Sequence, residues 1–372
     1  AALERAAEKP TPAPATPTPS VTPPAPVQTA FLPAKGWETV SIEEHAKRGL
    51  EWLVSVQGND GGWGQDAGSE GGARQGVSLE TTGNDVANTS IACLALLRSG
   101  TTPKAGLYRD ALLHGVEFVL ANVEAAPPEG LAITKKSGTQ IQRKLGPYID
   151  TFLATLLLSE IDGYLPDATL QTRVRTALAR CTSKIETNQQ SDGSWNQGGG
   201  WAPVIGTSLA SRGLAGAMAK GVKVDAETLR RVDDYTVKNY DERTRSFNAA
   251  AGAGVELYQA AQAFEQASRN PRSAEVKSLL SAAKDKISDT QFLTGFGSMG
   301  GEEFVSYMNI SDSLRRDPGA EWLGWNSKIK SHLAKLQNQD GTWAGHHCIT
   351  GRVACTSAAV LTLLTERTLP RA

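Results

Sequence analysis

Long apolar runs are missing from this sequence: no stretch approaches the ~18 uninterrupted apolar residues that a bilayer-crossing helix needs. Net charge is missing too. With 38 Lys and Arg against 39 Asp and Glu the balance is −1, and no dense basic run stands out, so no field gathers phosphates and nucleic acid is not an expected partner. Cysteine is scarce: Cys93, Cys181, Cys348 and Cys355 are the four in 372 residues, without a Cys-x-x-Cys pair. They make no disulfide framework and leave the redox compartment open. The sequence also lacks an initiator Met and a signal-peptide apolar region. It reads as trimmed, with any membrane anchor expected upstream of residue 1.

What is present is enough apolar content, 40%, to build a core. Residues 10–33 hold nine of the 18 prolines, a composition that cannot bury itself and favours extended polyproline II. The chain therefore divides into a disordered Pro-rich segment, 1–36, and a folded domain, 37–372. At about 3.1 Å per residue the Pro-rich stretch reaches roughly 75 Å, which suits a tether; a plain disordered tail has the same composition. A tether implies a place outside the cytoplasm, in the periplasm or cell envelope.

Within the folded domain a single pattern occurs three times. "SVQGNDGGWG" (55–64), "TNQQSDGSWN" (187–196) and "KLQNQDGTWA" (335–344) share Gln-x-x-x-Gly-x-Trp, with Asp directly before the Gly. Before each copy lies a helical period, as in Ala46, Gly49, Leu50, Leu53 and Val56. Asp-Gly supplies a turn, and flanks of period 3.6 make it a turn between helices and not a β-hairpin.

After the turns come helices that are apolar or small on all sides and so expected to be buried all round: 88–97, 150–159, 206–215 and 355–364, with less regular ones at 248–264 and 302–316. Together with more polar outer helices they make six hairpins. A hairpin that cannot cover its own apolar face must stack on neighbours. The first and last copies are the best preserved, which favours a closed ring over an open solenoid with worn ends. The expected fold is all-α, an (α/α)6 toroid: a closed double barrel of six helical hairpins.

The stretch "RGLEWLVSVQGNDGGW", Arg48 to Trp63, resembles the QW repeat of the squalene-hopene and oxidosqualene cyclases. From about residue 38 the chain resembles the terpenoid cyclase and protein prenyltransferase α/α-toroid superfamily. The resemblance implies that the Gln bonds backbone at a helix end while resting on the Trp. Gln57, Trp63, Gln189, Trp195, Gln337 and Trp343 are accordingly read as structural; a sugar-binding role for the tryptophans is the alternative.

The resemblance also implies chemistry that the residues do not repeat. Cyclases of this kind carry Asp-x-Asp-Asp-Thr-Ala before an inner helix, where this chain has "GNDVANTS" and "GPYIDTF". Asp150 and Asp85 are the acid candidates, and neither has a second carboxylate beside it in sequence. The inner helices offer five aromatics, Phe152, Tyr258, Phe264, Phe304 and Tyr307, to line a cavity. Prenyltransferases bind zinc through Asp, Cys and His. His347, Cys348 and Cys355 are ligand types near the last inner helix, without an Asp-x-Cys pair; no cofactor is predicted, and zinc there is the alternative to a polar His with small core cysteines. In an exported protein Cys348 and Cys355 are also disulfide candidates. Asn88, Tyr148, Tyr307 and Arg352 are expected at the cavity or its rim. Arg352 is read either as a closure clasp with Asp85 or as an anion site at converging helix N-termini.

These readings favour a tethered toroid that binds an apolar small molecule, a peptide or a protein partner without turning it over. The alternative is an isoprenoid-handling enzyme of the cyclase or prenyltransferase class, and a weaker one is a polysaccharide lyase, which rests on fold analogy alone.

Overall fold

The computed structural model describes residues 40–65, 83–248, 255–269, 274–287, 289–293, 300–316, 319–346, 349 and 351–367. The Pro-rich segment and the pair His347 and Cys348 lie outside the described residues. Six helices form an inner ring: α2 (Val86–Arg98), α5 (Ile149–Ile161), α7 (Pro203–Ala219), α9 (Glu256–Arg269), α12 (Gly301–Leu314) and α14 (Arg352–Leu363). Each packs on the next, and α14 packs on α2, so the ring closes. Around them stand α1 (Ile42–Ser55), α3 (Arg109–Ala125), α6 (Ala168–Thr187), α8 (Ala226–Lys238), α10 (Ala274–Ile287) and α13 (Ala320–Leu336).

The expected hairpins are thus all present, with boundaries that move by a few residues. The fourth inner helix begins at Glu256, and residues 249–254 of the stretch assigned to it are outside the described residues. Three small elements had no periodic signal: α4 (Gln140–Leu145), α11 (Thr290–Leu293) and a two-residue antiparallel pair, β1 (Tyr240–Asp241) with β2 (Ser246–Phe247).

The repeated motif acts as a three-way fastener. In every copy the indole N–H donates to the carbonyl ten residues earlier: Trp63 to Leu53 at 2.7 Å, Trp195 to Ile185 at 2.7 Å and Trp343 to Leu333 at 2.8 Å. The Trp backbone N–H donates to a threonine of the following inner helix, Thr89, Thr207 or Thr356. The Gln amide donates twice, to the turn glycine's carbonyl and to the first turn of the next outer helix: Gln57 to Gly61 and Ala111, Gln189 to Gly193 and Thr228, Gln337 to Gly341 and His45. Gln337 reaches α1, so the last copy ties the end of the ring to its beginning.

The turn glycine has a defined cause. Gly61 and Gly193 sit at φ of +83° and +94°, and a Cβ there would lie 2.5 Å from the His114 carbonyl and 2.1 Å from that of Arg231. Only glycine permits both the conformation and that approach. At the seam, Gly49 of α1 leaves room for the Trp343 ring and Val360, which a Cβ would meet at 3.0 and 2.9 Å.

Candidate functional site

The inner helices run parallel, so their six N-termini form one mouth of the inner barrel and their six C-termini the other. Between the mouths the barrel is filled. Every residue of α2 is buried, as is every residue of α5 except Glu160, of α12 except Asp312 and of α14 except Arg352. A void that admitted water would leave its lining accessible, so none opens along the middle of the ring among the described residues.

The five aromatics expected to line a cavity are buried. Phe152 packs edge-on against Trp195, Tyr258 donates to Glu303 at 2.9 Å, and Tyr307 lies against Trp325 and His332 of α13. Tyr307 is therefore a core residue and not a rim residue, a correction to the sequence reading: its ring is drawn outward because the layer between α12 and α13 holds the apolar space it needs.

The N-terminal mouth is acidic and covered. Asp85 caps α2, accepting from the backbone N–H of Asn88 at 2.8 Å and from the Asn88 side-chain amide at 2.8 Å. Asp150 of α5 accepts from the Ala87 N–H at 3.0 Å and from the Gln142 amide at 2.7 Å. Gln142 is placed by α4, whose N-cap Thr139 forms a capping box with it. The structure thus brings the two carboxyls together across the α2–α5 contact, where the sequence reading gave neither a carboxylate neighbour. Burial first, and then the charge of Asp85, push the Asp150 carboxyl up to about 7; burial also raises Asp85. Glu302 and Glu303, at the start of α12, are buried at the same mouth. Tyr148 is half-buried at the α5 N-cap, and Asn88 is buried on Asp85.

Arg352 does not clasp Asp85. It pairs with Asp340 of the third motif copy at 3.1 Å, with its guanidinium 5.1 Å from the Trp52 ring centre. The physical reason is that the Asp85 carboxylate is already committed to Asn88. Cys355 is buried, its thiol directed at the Ile349 carbonyl at 3.7 Å; the other two members of the zinc candidate are outside the described residues. Burial pushes the Cys93 thiol up, which suits an inert core residue.

The C-terminal mouth is cationic and open, and the sequence reading missed it. Arg98 of α2 grips Asp312 of α12 with its two terminal guanidinium nitrogens, at 2.8 and 3.3 Å, and Arg212 of α7 reaches the same carboxylate at 2.6 Å. Arg212 also donates to Asn309 and stands 3.8 Å from Glu265, which in turn meets Arg316 at 3.3 Å and Arg269 at 3.5 Å. Burial alone would raise the Asp312 carboxyl; Arg98 and Arg212 outweigh it and hold the group well below the usual carboxylate range. A cavity of 350 Å³ opens here, lined by Arg98, Glu160, Arg212, Asp312, Arg315 and Arg316. The Arg315 side chain, half-buried, makes no hydrogen bond or ion pair among the described residues. The available signal was an arginine inside a helix otherwise made of apolar and small residues, Arg212 in "GTSLASRGLA", since a buried charge in such a helix requires partners.

Neither a protein-family model nor a curated protein matches the chain. Solved structures do. A protein from Actinoplanes superposes with a TM-score of 0.53 at 11% identity over 88% of this chain and 100% of that one. The type II terpene cyclase MstE from Scytonema, in complex with its product merosterolic acid A, gives 0.38 at 14% identity over 88% and 97%. The apo form of MstE gives 0.35 at 14% identity over 87% and 97%. The Actinoplanes likeness establishes the fold alone, and the MstE likeness is too distant to support an argument. The ring of six hairpins is an all-α toroid. No described helix is long and apolar enough to cross a membrane.

Proposed function

We propose that this toroid is a binding module that holds an anionic group at the C-terminal mouth of its inner barrel without turning it over. The observation that carries the reading is Arg315, a cation without a protein partner among the described residues, in a cavity already walled by Arg98, Arg212 and Arg316. A filled barrel leaves no chamber in which a substrate could be enclosed, whereas the mouth offers charge, volume and access. The Pro-rich leader then serves as the tether, and a position outside the cytoplasm fits that use. Calorimetric titration with inorganic pyrophosphate at low salt tests it. Binding should weaken as salt rises and fall about tenfold or more in Arg315→Glu. Saturating pyrophosphate that produces no heat, or an Arg315→Glu variant that binds equally well, would sink it.

One observation favours a second reading, an isoprenoid-handling enzyme with Asp150 as its acid: a carboxyl held near 7 is suited to give up a proton at neutral pH. Against it, each oxygen of Asp85 and Asp150 already accepts an N–H from the protein. Conversion of squalene or an isoprenoid diphosphate by the wild type, abolished in Asp150→Asn, would establish that reading.

A further inference from the structure

The central cavity is one of several that share walls. Arg98, Glu160 and Arg315 also line a 390 Å³ cavity with Lys220 and Arg367. Arg367 in turn forms a wall of a 430 Å³ recess between α1 and the start of α3, where half-buried Tyr108 and the 80% exposed Leu107 supply apolar surface over the buried Leu50 and Leu364. On the other side, Arg316 is shared with a 300 Å³ recess lined by Phe264, Leu280 and Leu314. The C-terminal face therefore carries a row of recesses, together a furrow, cationic in the middle and apolar toward both ends, with neighbouring recesses sharing an arginine wall.

We infer that this furrow docks an extended acidic segment of a partner protein, with carboxylates over the arginines and an apolar side chain in each flanking recess. The inference rests on the anion-binding reading above and specifies its occupant. Charge complementarity selects the acidic centre. Arg98, Arg212, Arg315, Arg316, Lys220 and Arg367 line the two central cavities with Glu160 and Asp312, and the buried Glu265 behind Arg212 and Arg316 adds one more acid, so six cations stand against three acids. The ends are different. Glu43 and Glu44 line one recess and Glu321 the other, and the lysine in each is already engaged: Lys47 lies 3.7 Å from Glu44 and from Glu51, and Lys284 lies 2.8 Å from Glu321. Neither lysine is left over for an incoming acid, so the matching segment is acidic only in its centre. A small anion would occupy a fraction of the central cavity and leave the apolar recesses unused. An extended chain, advancing about 3.3 Å per residue with side chains alternating in direction, can occupy charged and apolar sites in succession.

Selection from a random dodecapeptide display library against the full chain tests this, followed by fluorescence anisotropy with the labelled consensus peptide. The expected consensus has two or more central acids between apolar residues. Its affinity should fall about tenfold or more in Arg315→Glu and with rising salt, and by a smaller factor, about threefold to tenfold, in Leu107→Ser. Leu107 is exposed, so that substitution leaves the fold intact. No enrichment, a consensus without acids, or affinity unmoved by both variants would overturn the docking inference. Pyrophosphate binding retained alongside any of those results leaves the anion site standing and removes only the furrow's peptide; loss of both removes both.

Discussion

The two mouths of the inner barrel carry opposite charge and differ in how that charge is spent. At the N-terminal mouth, Asp85, Asp150, Glu302 and Glu303 are buried, and each accepts a backbone N–H, from Asn88, Ala87, Ile349 and Gly300 respectively. At the C-terminal mouth, arginines outnumber acids and some of the surface is open. Six parallel helices, each with roughly half a positive charge at its N-terminus and half a negative charge at its C-terminus, select this polarity. The dipoles thus account for the sign at both ends. They do not account for Arg315, which remains after the buried acids have been matched, and that residue separates a structural charge cluster from one able to take a ligand.

The largest expected effect is at the network that is both cationic and buried. Asp312→Ala leaves Arg98 and Arg212 without their shared carboxylate, in side chains 9% and 3% exposed. Removing one partner of such a group costs about 3–5 kcal/mol. Urea unfolding of the variant should show that loss at neutral pH. A cost under about 1 kcal/mol would mean that water already screens the cluster, and the distinction between buried and open charge at this mouth would fail.

The mouths should also respond to pH with opposite sign. Asp150 has a folded pKa near 7 against an ordinary 3.8, so the folded chain holds that proton more tightly than the unfolded chain. Its contribution makes stability fall as pH rises from about 4 toward 7, and it levels off above. Asp312, depressed by its arginines, contributes fully above the ordinary 3.8 and loses that contribution as pH falls below it. Unfolding curves at pH values of about 5 and about 8 isolate the first effect. The wild type should be less stable at the higher pH, and Asp150→Asn should narrow the difference. A gap of equal size in both would remove Asp150 as its cause.

The ring was legible in the sequence because its fastener is local. Gln57, Gly61 and Trp63 stand within one turn and recur at a fixed spacing, and the all-apolar inner helices follow from periodicity. The Asp85–Asp150 contact was not legible, because the residues are 65 positions apart and meet only across the α2–α5 packing. The cationic mouth was hidden for the same reason: Arg98, Arg212 and Asp312 come from three different inner helices, and the net charge of −1 gives no sign of a local surplus. Tyr307 was misplaced because helix periodicity reports that a residue is buried but not which neighbouring layer receives it.

The smallest effect is the most discriminating. Arg315→Gln removes a half-buried guanidinium that makes no ion pair or hydrogen bond among the described residues, and it relieves repulsion from Arg98 and Arg316 in the same cavity. Stability should therefore change by no more than about 0.5 kcal/mol, the range for substitutions away from any packed or bonded feature. Paired denaturation curves of Arg315→Gln and Asp312→Ala at one pH compare two charges on neighbouring turns of the same chain segment. If neutralising Arg315 costs as much as deleting Asp312, that guanidinium belongs to the structural network. A near-zero cost leaves it free to hold something from outside, because a charge retained at an open mouth without a stabilising partner is placed where an incoming anion would complete it.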